Sequence, residues 1–182
     1  EIMTDMESEN AMSRLVQGDV GSGKTAVAAA LCYSVIKNGV QAALMAPTEI
    51  LAQQHHASIS NILKDTGISV GLLTGSVTPA KKRKLLEQLQ DGSIKMVIGT
   101  HALISETVAF QNLGLVITDE QHRFGVAQRA KLRGEHLTDT LIMTATPIPR
   151  TLAYVLYGDL DISVIDQMPS NRLAVESYLI DT

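Results

Sequence analysis

Gly18-Asp19-Val20-Gly21-Ser22-Gly23-Lys24-Thr25 fits the pattern G-x-x-x-x-G-K-[S/T] at every position. The stretch follows the strand-like Arg14-Leu15-Val16-Gln17 and opens a segment in which Val27, Leu31 and Val35 recur every four residues. A glycine-rich turn therefore joins a strand to a helix, which is the setting this pattern requires. The glycines let the backbone wrap a phosphate chain with its amides turned inward. The helix N-terminus adds a positive dipole. Gly18 to Thr25 are thus the expected nucleotide-binding residues. Lys24 reaches the β- and γ-phosphates, and the Thr25 hydroxyl is a Mg²⁺ ligand.

Outward from this turn, short apolar runs alternate with amphipathic stretches. Strands are expected at 15–16, 42–45, 70–73, 96–98, 115–117 and 141–143, with a seventh at 162–165. Most do not alternate, as when both faces of a sheet are covered. Leu51, Ile59, Ile62 and Leu63 line one face of a second helix, and Leu85, Leu86 and Leu89 that of a third. Thr78-Pro79 reads as an N-cap followed by proline at the first helical position. Strand–helix alternation at this spacing implies an α/β fold with a mainly parallel sheet, helices on both faces and right-handed crossovers.

The run Leu115-Val116-Ile117-Thr118-Asp119-Glu120-Gln121-His122 ends an apolar strand in two adjacent carboxylates. In an open parallel sheet, ligands bind at the carboxyl ends of strands. Asp119 is expected near Thr25 as a second Mg²⁺ ligand, and Glu120 as the residue that polarises an attacking water. Alone, such a pair is commonly a solvated turn. The complete phosphate loop upstream reverses that reading.

Composition narrows the partners. The 182 residues carry 15 Lys+Arg against 19 Asp+Glu, a net charge of −4, so DNA held by bulk charge is excluded. Aromatics are 3% with no Trp, which argues against binding single strands chiefly by stacking. A single cysteine, Cys32, excludes a disulfide framework and a cysteine-cluster zinc site. Cys32 reads as a small core residue. The run Lys81-Lys82-Arg83-Lys84 reads as a solvated helix face. No apolar run is long enough to span a membrane, and no signal peptide is visible.

The loop alone denotes a nucleotide and not a function. Neither the Asn-Lys-x-Asp of GTPases nor the Leu-Ser-Gly-Gly-Gln of transporter ATPases is present. Asp119-Glu120-Gln121-His122, followed by Thr144-Ala145-Thr146, resembles the motor core of superfamily 2 helicases and translocases. Ala46-Pro47-Thr48-Glu49, Thr74-Gly75-Ser76 and Gly99-Thr100-His101 fall in that superfamily's order. The blocks Gly99 to Ile104, Asp119 to Val126, Met143 to Thr151 and Tyr157 to Asp161 narrow the resemblance to the RecG family of bacterial ATP-dependent DNA helicases. Transcription–repair coupling translocases of the Mfd type share several blocks. They typically read Asp-Glu-Glu-His where this chain has Gln121, and usually Lys where it has Ala102.

The resemblance implies a RecA-like fold and a motor that uses ATP and Mg²⁺ to move along and remodel branched DNA or stalled forks. It makes Lys24, Asp119, Glu120 and His122 catalytic. Gln121, Thr144 and Thr146 would couple the nucleotide site to DNA. Thr48, Thr74, Gly75, Thr100 and His101 would meet the DNA backbone, although turn and cap chemistry explains them equally well. Arg123 and Arg150 would either touch DNA or pin the motif loops.

Both ends read as cut, so the chain is expected to be part of a longer protein. Residues 1–168 would form the first motor domain, and 169–182, after Met168-Pro169-Ser170-Asn171, a linker into a second. That domain would supply arginine fingers, and a wedge domain would precede the motor. The isolated chain would then be nearly inactive. Its setting would be cytoplasmic, at the bacterial nucleoid. Two alternatives stand beside this reading: an Mfd-type motor, and a non-catalytic, nucleotide-gated interaction module.

Overall fold

Each apolar run forms a strand, and the three amphipathic stretches after the first three strands form helices that carry the chain back to begin the next. The computed structural model describes residues 1–119, 138–146 and 160–166. A short helix α1 (Ile2–Met6) precedes β1 (Ser13–Gly18), α2 (Lys24–Lys37), β2 (Gln41–Met45), α3 (Glu49–Leu63) and β3 (Val70–Leu73). There follow α4 (Pro79–Gln90), β4 (Met96–Gly99), β5 (Leu113–Asp119), β6 (Asp139–Thr144) and β7 (Asp161–Ile165). Short 3₁₀ turns at Lys64–Thr66 and His101–Ile104 complete the order. All seven expected strands are present.

The strands form one sheet in the order β3-β4-β2-β5-β6-β1-β7, and every pairing is parallel. Successive residues of β2 show why the sequence does not alternate. Ala42 and Leu44 pack beneath α2 and α3, with Leu31, Val35, Ile59 and Leu63. Ala43 and Met45 pack on the opposite face with Leu85 and Leu89 of α4. A smaller cluster of Leu15, Ile142 and Leu160 lies under β1 and β6. Helices therefore cover both faces, as expected. Cys32 is buried in the α2 layer, and burial pushes its thiol up to about 12.

One local expectation is corrected. Ile62 is 49% exposed and outside the core. The buried stripe of α3 runs through Ala52, Ile59 and Leu63, and Ile62 lies about 80° round the helix from its middle at 3.6 residues per turn. Thr78 is the N-cap of α4 and Pro79 its first residue, as expected, and the Thr78 side chain makes no capping hydrogen bond. The Lys81–Lys84 run is largely exposed, and Arg83 makes a 4.0 Å contact with Glu87 one turn on.

The first helix is tied down by charge. Arg14 of β1 is only 7% exposed. Its guanidinium meets Asp5 at 2.5 Å, Glu1 at 3.6 Å and Asp161 at 3.8 Å, and donates to Ser163 Oγ at 2.8 Å. A buried guanidinium demands such partners. Among the described residues no helix is long and apolar enough to cross a membrane.

Candidate nucleotide and DNA site

The phosphate loop leaves the end of β1 at Gly18 and enters α2 at Lys24. Gly23, the N-cap of α2, has φ +97°, and Gly21 has φ +80°. These are left-handed conformations that cost other residues about 1–2 kcal/mol. Gly18 is required by space. A Cβ there would lie 2.5 Å from Ser22 Oγ and 3.0 Å from the Ile165 Cβ. The loop is closed by Ser22 N donating to the Asp19 carbonyl at 3.1 Å, and by Val20 N donating to Asp19 Oδ1 at 2.7 Å. Val20 stands 75% exposed.

Lys24 Nζ donates to the Gly18 and Asp19 carbonyls at 2.7 and 2.9 Å. The ammonium is thus held over the loop with one of its three N–H bonds remaining. Ser22 Oγ is buried without a hydrogen-bond partner among the described residues. A buried hydroxyl left unpaired is costly unless something bonds it, and in this loop a phosphate oxygen fits that need.

Asp119 is the last residue of β5 and lies in register with Met143 of β6, itself level with Val16 of β1. The carboxylate and the start of the loop thus share one edge, two strands or about 10 Å apart. Asp119 is 8% exposed. Its Oδ2 lies 2.6 Å from His55 Nε2 of α3. Sequence reasoning missed this histidine. A signal was available: His55 and His56 occupy the turn between Ala52 and Ile59 where the apolar stripe of α3 breaks. His56 Nε2 lies 3.0 Å from the Val70 carbonyl, to which it donates, and so fastens α3 to β3.

Beyond β6, Thr144 and Thr146 join through their hydroxyls at 2.9 Å, and Thr146 N donates to Thr144 Oγ1 at 3.2 Å. The expected partners Glu120, Gln121 and His122 lie outside the described residues, as do Arg123, Arg150 and the linker at Met168–Asn171.

The segments after β2, β3 and β4 form one ridge at the same edge. Ala46 N donates to the Gly99 carbonyl at 2.8 Å, and Thr100 N to the Leu73 carbonyl at 3.3 Å. A Cβ at Gly75 would lie 2.8 Å from Glu49 Oε1, so the β3 turn abuts the first turn of α3. Thr48, Gly75 and His101 are exposed. Thr74 and Thr100 are buried, and Thr74 Oγ1 bonds Ser76 Oγ at 3.0 Å. Thr48 is the N-cap of α3, its hydroxyl accepting from Leu51 N at 3.3 Å. The capping role is therefore real, and leaves Thr48 on the surface.

Residues 2–155 match the DEAD/DEAH box helicase family. The chain is 55% identical over 181 residues to the ATP-dependent DNA helicase RecG of Bacillus subtilis, covering 99% of this chain and 26% of the relative. It is 54% identical over 182 residues to RecG of Aquifex aeolicus, covering 98% and 23%. The chain thus spans about a quarter of the length of these relatives. A structure of RecG bound to a three-way DNA junction superposes with a TM-score of 0.83 at 49% identity, over 96% of this chain and 24% of that one. The helicase MrfA, solved with DNA, has a TM-score of 0.67 at 21% identity over 86% of this chain and 25% of its own, a likeness of fold. The fold is the RecA-like fold of helicase motors, as expected. With a complete phosphate loop, a carboxylate at a strand end two places along the sheet and a family match over most of its length, this chain belongs to the DEAD/DEAH box helicase family.

Proposed function

We propose that this chain is the ATP-binding motor domain of a RecG-type DNA helicase, one that couples ATP hydrolysis to movement on and remodelling of branched DNA. The observation that carries this is identity near 55% to RecG relatives along almost the whole chain, laid over an intact phosphate loop. Lys24 and the amides of Gly18 to Thr25 hold the triphosphate and offset its charge. Thr25 and Asp119 hold Mg²⁺. Their hydroxyl and carboxylate oxygens suit a hard cation that keeps most of its waters and shares substrate phosphates. Held there by Thr25 and Asp119, the ion would supply positive charge against the charge that develops on phosphoryl transfer.

Glu120 polarises the attacking water, with His122 beside it. Gln121, Thr144 and Thr146 relay the nucleotide state towards the ridge of Thr48, Thr74, Gly75, Thr100 and His101, which meets the DNA backbone. Short hydroxyls and amides suit phosphate oxygens without base reading, and this explains how a chain of net charge −4 takes part in DNA binding. In the full-length protein a wedge domain precedes this motor. A second motor domain follows residue 168 and supplies an arginine finger, worth about 10³–10⁵ in rate. The 182 residues alone are then a slow ATPase. The cellular setting is the bacterial cytoplasm, at the nucleoid.

The test is steady-state ATPase of the full-length protein with forked DNA, linear duplex or no DNA. Forked DNA should stimulate turnover most, and Lys24→Ala should abolish it. Stimulation by linear duplex equal to that by a fork would favour the Mfd-type motor. Turnover indifferent to DNA would overturn the helicase reading.

A further inference from the structure

We propose that His55 is a positioning residue for the nucleotide-bound metal: it fixes the Asp119 carboxylate through Nε2 and so links α3 to the ATP site. The inference rests on the motor reading above, in which Asp119 is a Mg²⁺ ligand. The contact joins residues 64 apart in sequence, at 2.6 Å, between side chains each only 12% exposed. With the carboxylate ionised, the ring nitrogen is the donor. A carboxylate swings about its terminal torsion, which has only a broad preference. One short bond to Oδ2 stops that swing and leaves Oδ1 free to face a cation. Among the described residues no other side chain holds Asp119.

The element that carries His55 is fixed on three sides. His56 fastens α3 to the Val70 carbonyl of β3. Ile59 and Leu63 bury its far end in the core. Its first turn begins at the Thr48 cap, against Gly75. His55 lies two turns, about 10 Å, along the helix from Thr48. One rigid helix thus has its N-terminus in the ridge assigned to DNA and a side chain on the carboxylate assigned to the metal. Groups in the shell around a metal ligand set its orientation, and removing one typically lowers metal affinity about 10–100-fold.

The test is equilibrium binding of ADP, followed through a fluorescent label on its ribose, to the full-length protein as Mg²⁺ is added from a metal-free baseline. Wild-type affinity should rise with Mg²⁺. In His55→Ala the metal-free affinity should stay within about twofold, because Lys24 and the loop are untouched. The Mg²⁺ concentration giving half the gain should rise roughly tenfold or more. His55→Gln, which offers an amide N–H at similar reach, should recover most of that loss, and a thermal melt of each variant establishes that it is folded. An unshifted Mg²⁺ curve in His55→Ala overturns the proposal. So does an equal fall in metal-free affinity, or failure of His55→Gln to recover, since either makes His55 a packing residue. Failure of the underlying reading looks different. Wild type and Asp119→Asn would then respond identically to Mg²⁺, or Lys24→Ala would bind ADP as tightly as wild type.

Discussion

The two edges of the sheet differ in what their buried polar side chains hold. At the amino edge, beside the ion pairs of Arg14, they bond to backbone. Gln41 is fully buried, and its Nε2 donates to the Leu89 and Ile94 carbonyls at 2.9 and 2.8 Å while its Oε1 accepts from Asn112 N at 2.9 Å. Asp139 Oδ1 accepts from Met12 N at 2.7 Å, and Thr138 Oγ1 donates to the Leu113 carbonyl at 3.2 Å. At the carboxyl edge Lys24 and the Thr48 cap also bond to backbone, but three pairs of side chains bond to one another: His55 to Asp119, Thr74 to Ser76, Thr144 to Thr146. The buried hydroxyls without a partner among the described residues, on Ser22, Thr100 and Thr118, all lie at or next to that edge. Bonding to backbone fixes connections between elements. Polar groups left for one another, or for nothing, are what a ligand can recruit. The amino edge is therefore fold, and the carboxyl edge is site.

Changes at the two edges should separate cleanly. The largest effect belongs to the carboxyl edge. Glu120→Gln in the full-length protein should lower kcat about 10²–10⁴-fold, the usual contribution of a positioned base. ATP affinity should hold, because the phosphate cradle is untouched, so the loss should fall on kcat and not chiefly on KM. Loss of ATP binding in parallel would remove Glu120 from the water-positioning role.

Next in size is Gln41→Leu at the amino edge. It keeps bulk but leaves the Ile94 carbonyl and the Asn112 amide without their partner, while the Leu89 carbonyl keeps only the Gln111 amide at 3.2 Å, a cost of about 2–4 kcal/mol. For a domain of this size the melting temperature should fall by roughly 5–15 °C. The further rise in melting temperature that ADP with Mg²⁺ confers should be unchanged from wild type. A variant that melts normally but loses the ADP response would erase the distinction between the edges.

The same division governs what could be read from the residues alone. The phosphate loop was legible because its requirements are local: glycines at left-handed φ, and a lysine one residue into a helix. The seven strands were legible because burial on both faces leaves continuous apolar runs. The bond between His55 and Asp119 was not, because it is made by tertiary packing across 64 residues and obeys no local spacing. Gln41 escaped for the same reason. A glutamine beside an apolar run reads as a strand boundary until the three backbone groups it serves are brought to it. Thr48 carried two readings, cap and DNA contact. The structure establishes the first, and the second belongs to the proposal.

The smallest expected effect tests whether the Asp139 charge matters at the amino edge. Asp139 is half-buried, and burial raises its carboxyl above the ordinary value of 3.8, while the bond from the Met12 amide pulls the other way. A carboxyl raised on folding binds its proton more tightly in the folded state. Its contribution to stability is full below about 3.8 and is lost as pH rises through the raised value. Asp139→Asn keeps an oxygen for the Met12 amide and removes the charge. At pH 7 the variant should melt slightly higher than wild type. Solvent screening of a half-exposed group limits the gain to about 0.3–0.5 kcal/mol, or roughly 1 °C. The difference should shrink to nothing as the pH falls below 3.8, where the wild-type carboxyl is itself neutral. Paired melts of the two proteins between pH 7 and the acid limit of reversible unfolding would measure this. A variant that melts lower at pH 7 would show that the amide bond to the charged oxygen outweighs burial. The Asp139 charge would then serve the amino edge, as those of Arg14 and its carboxylate partners do.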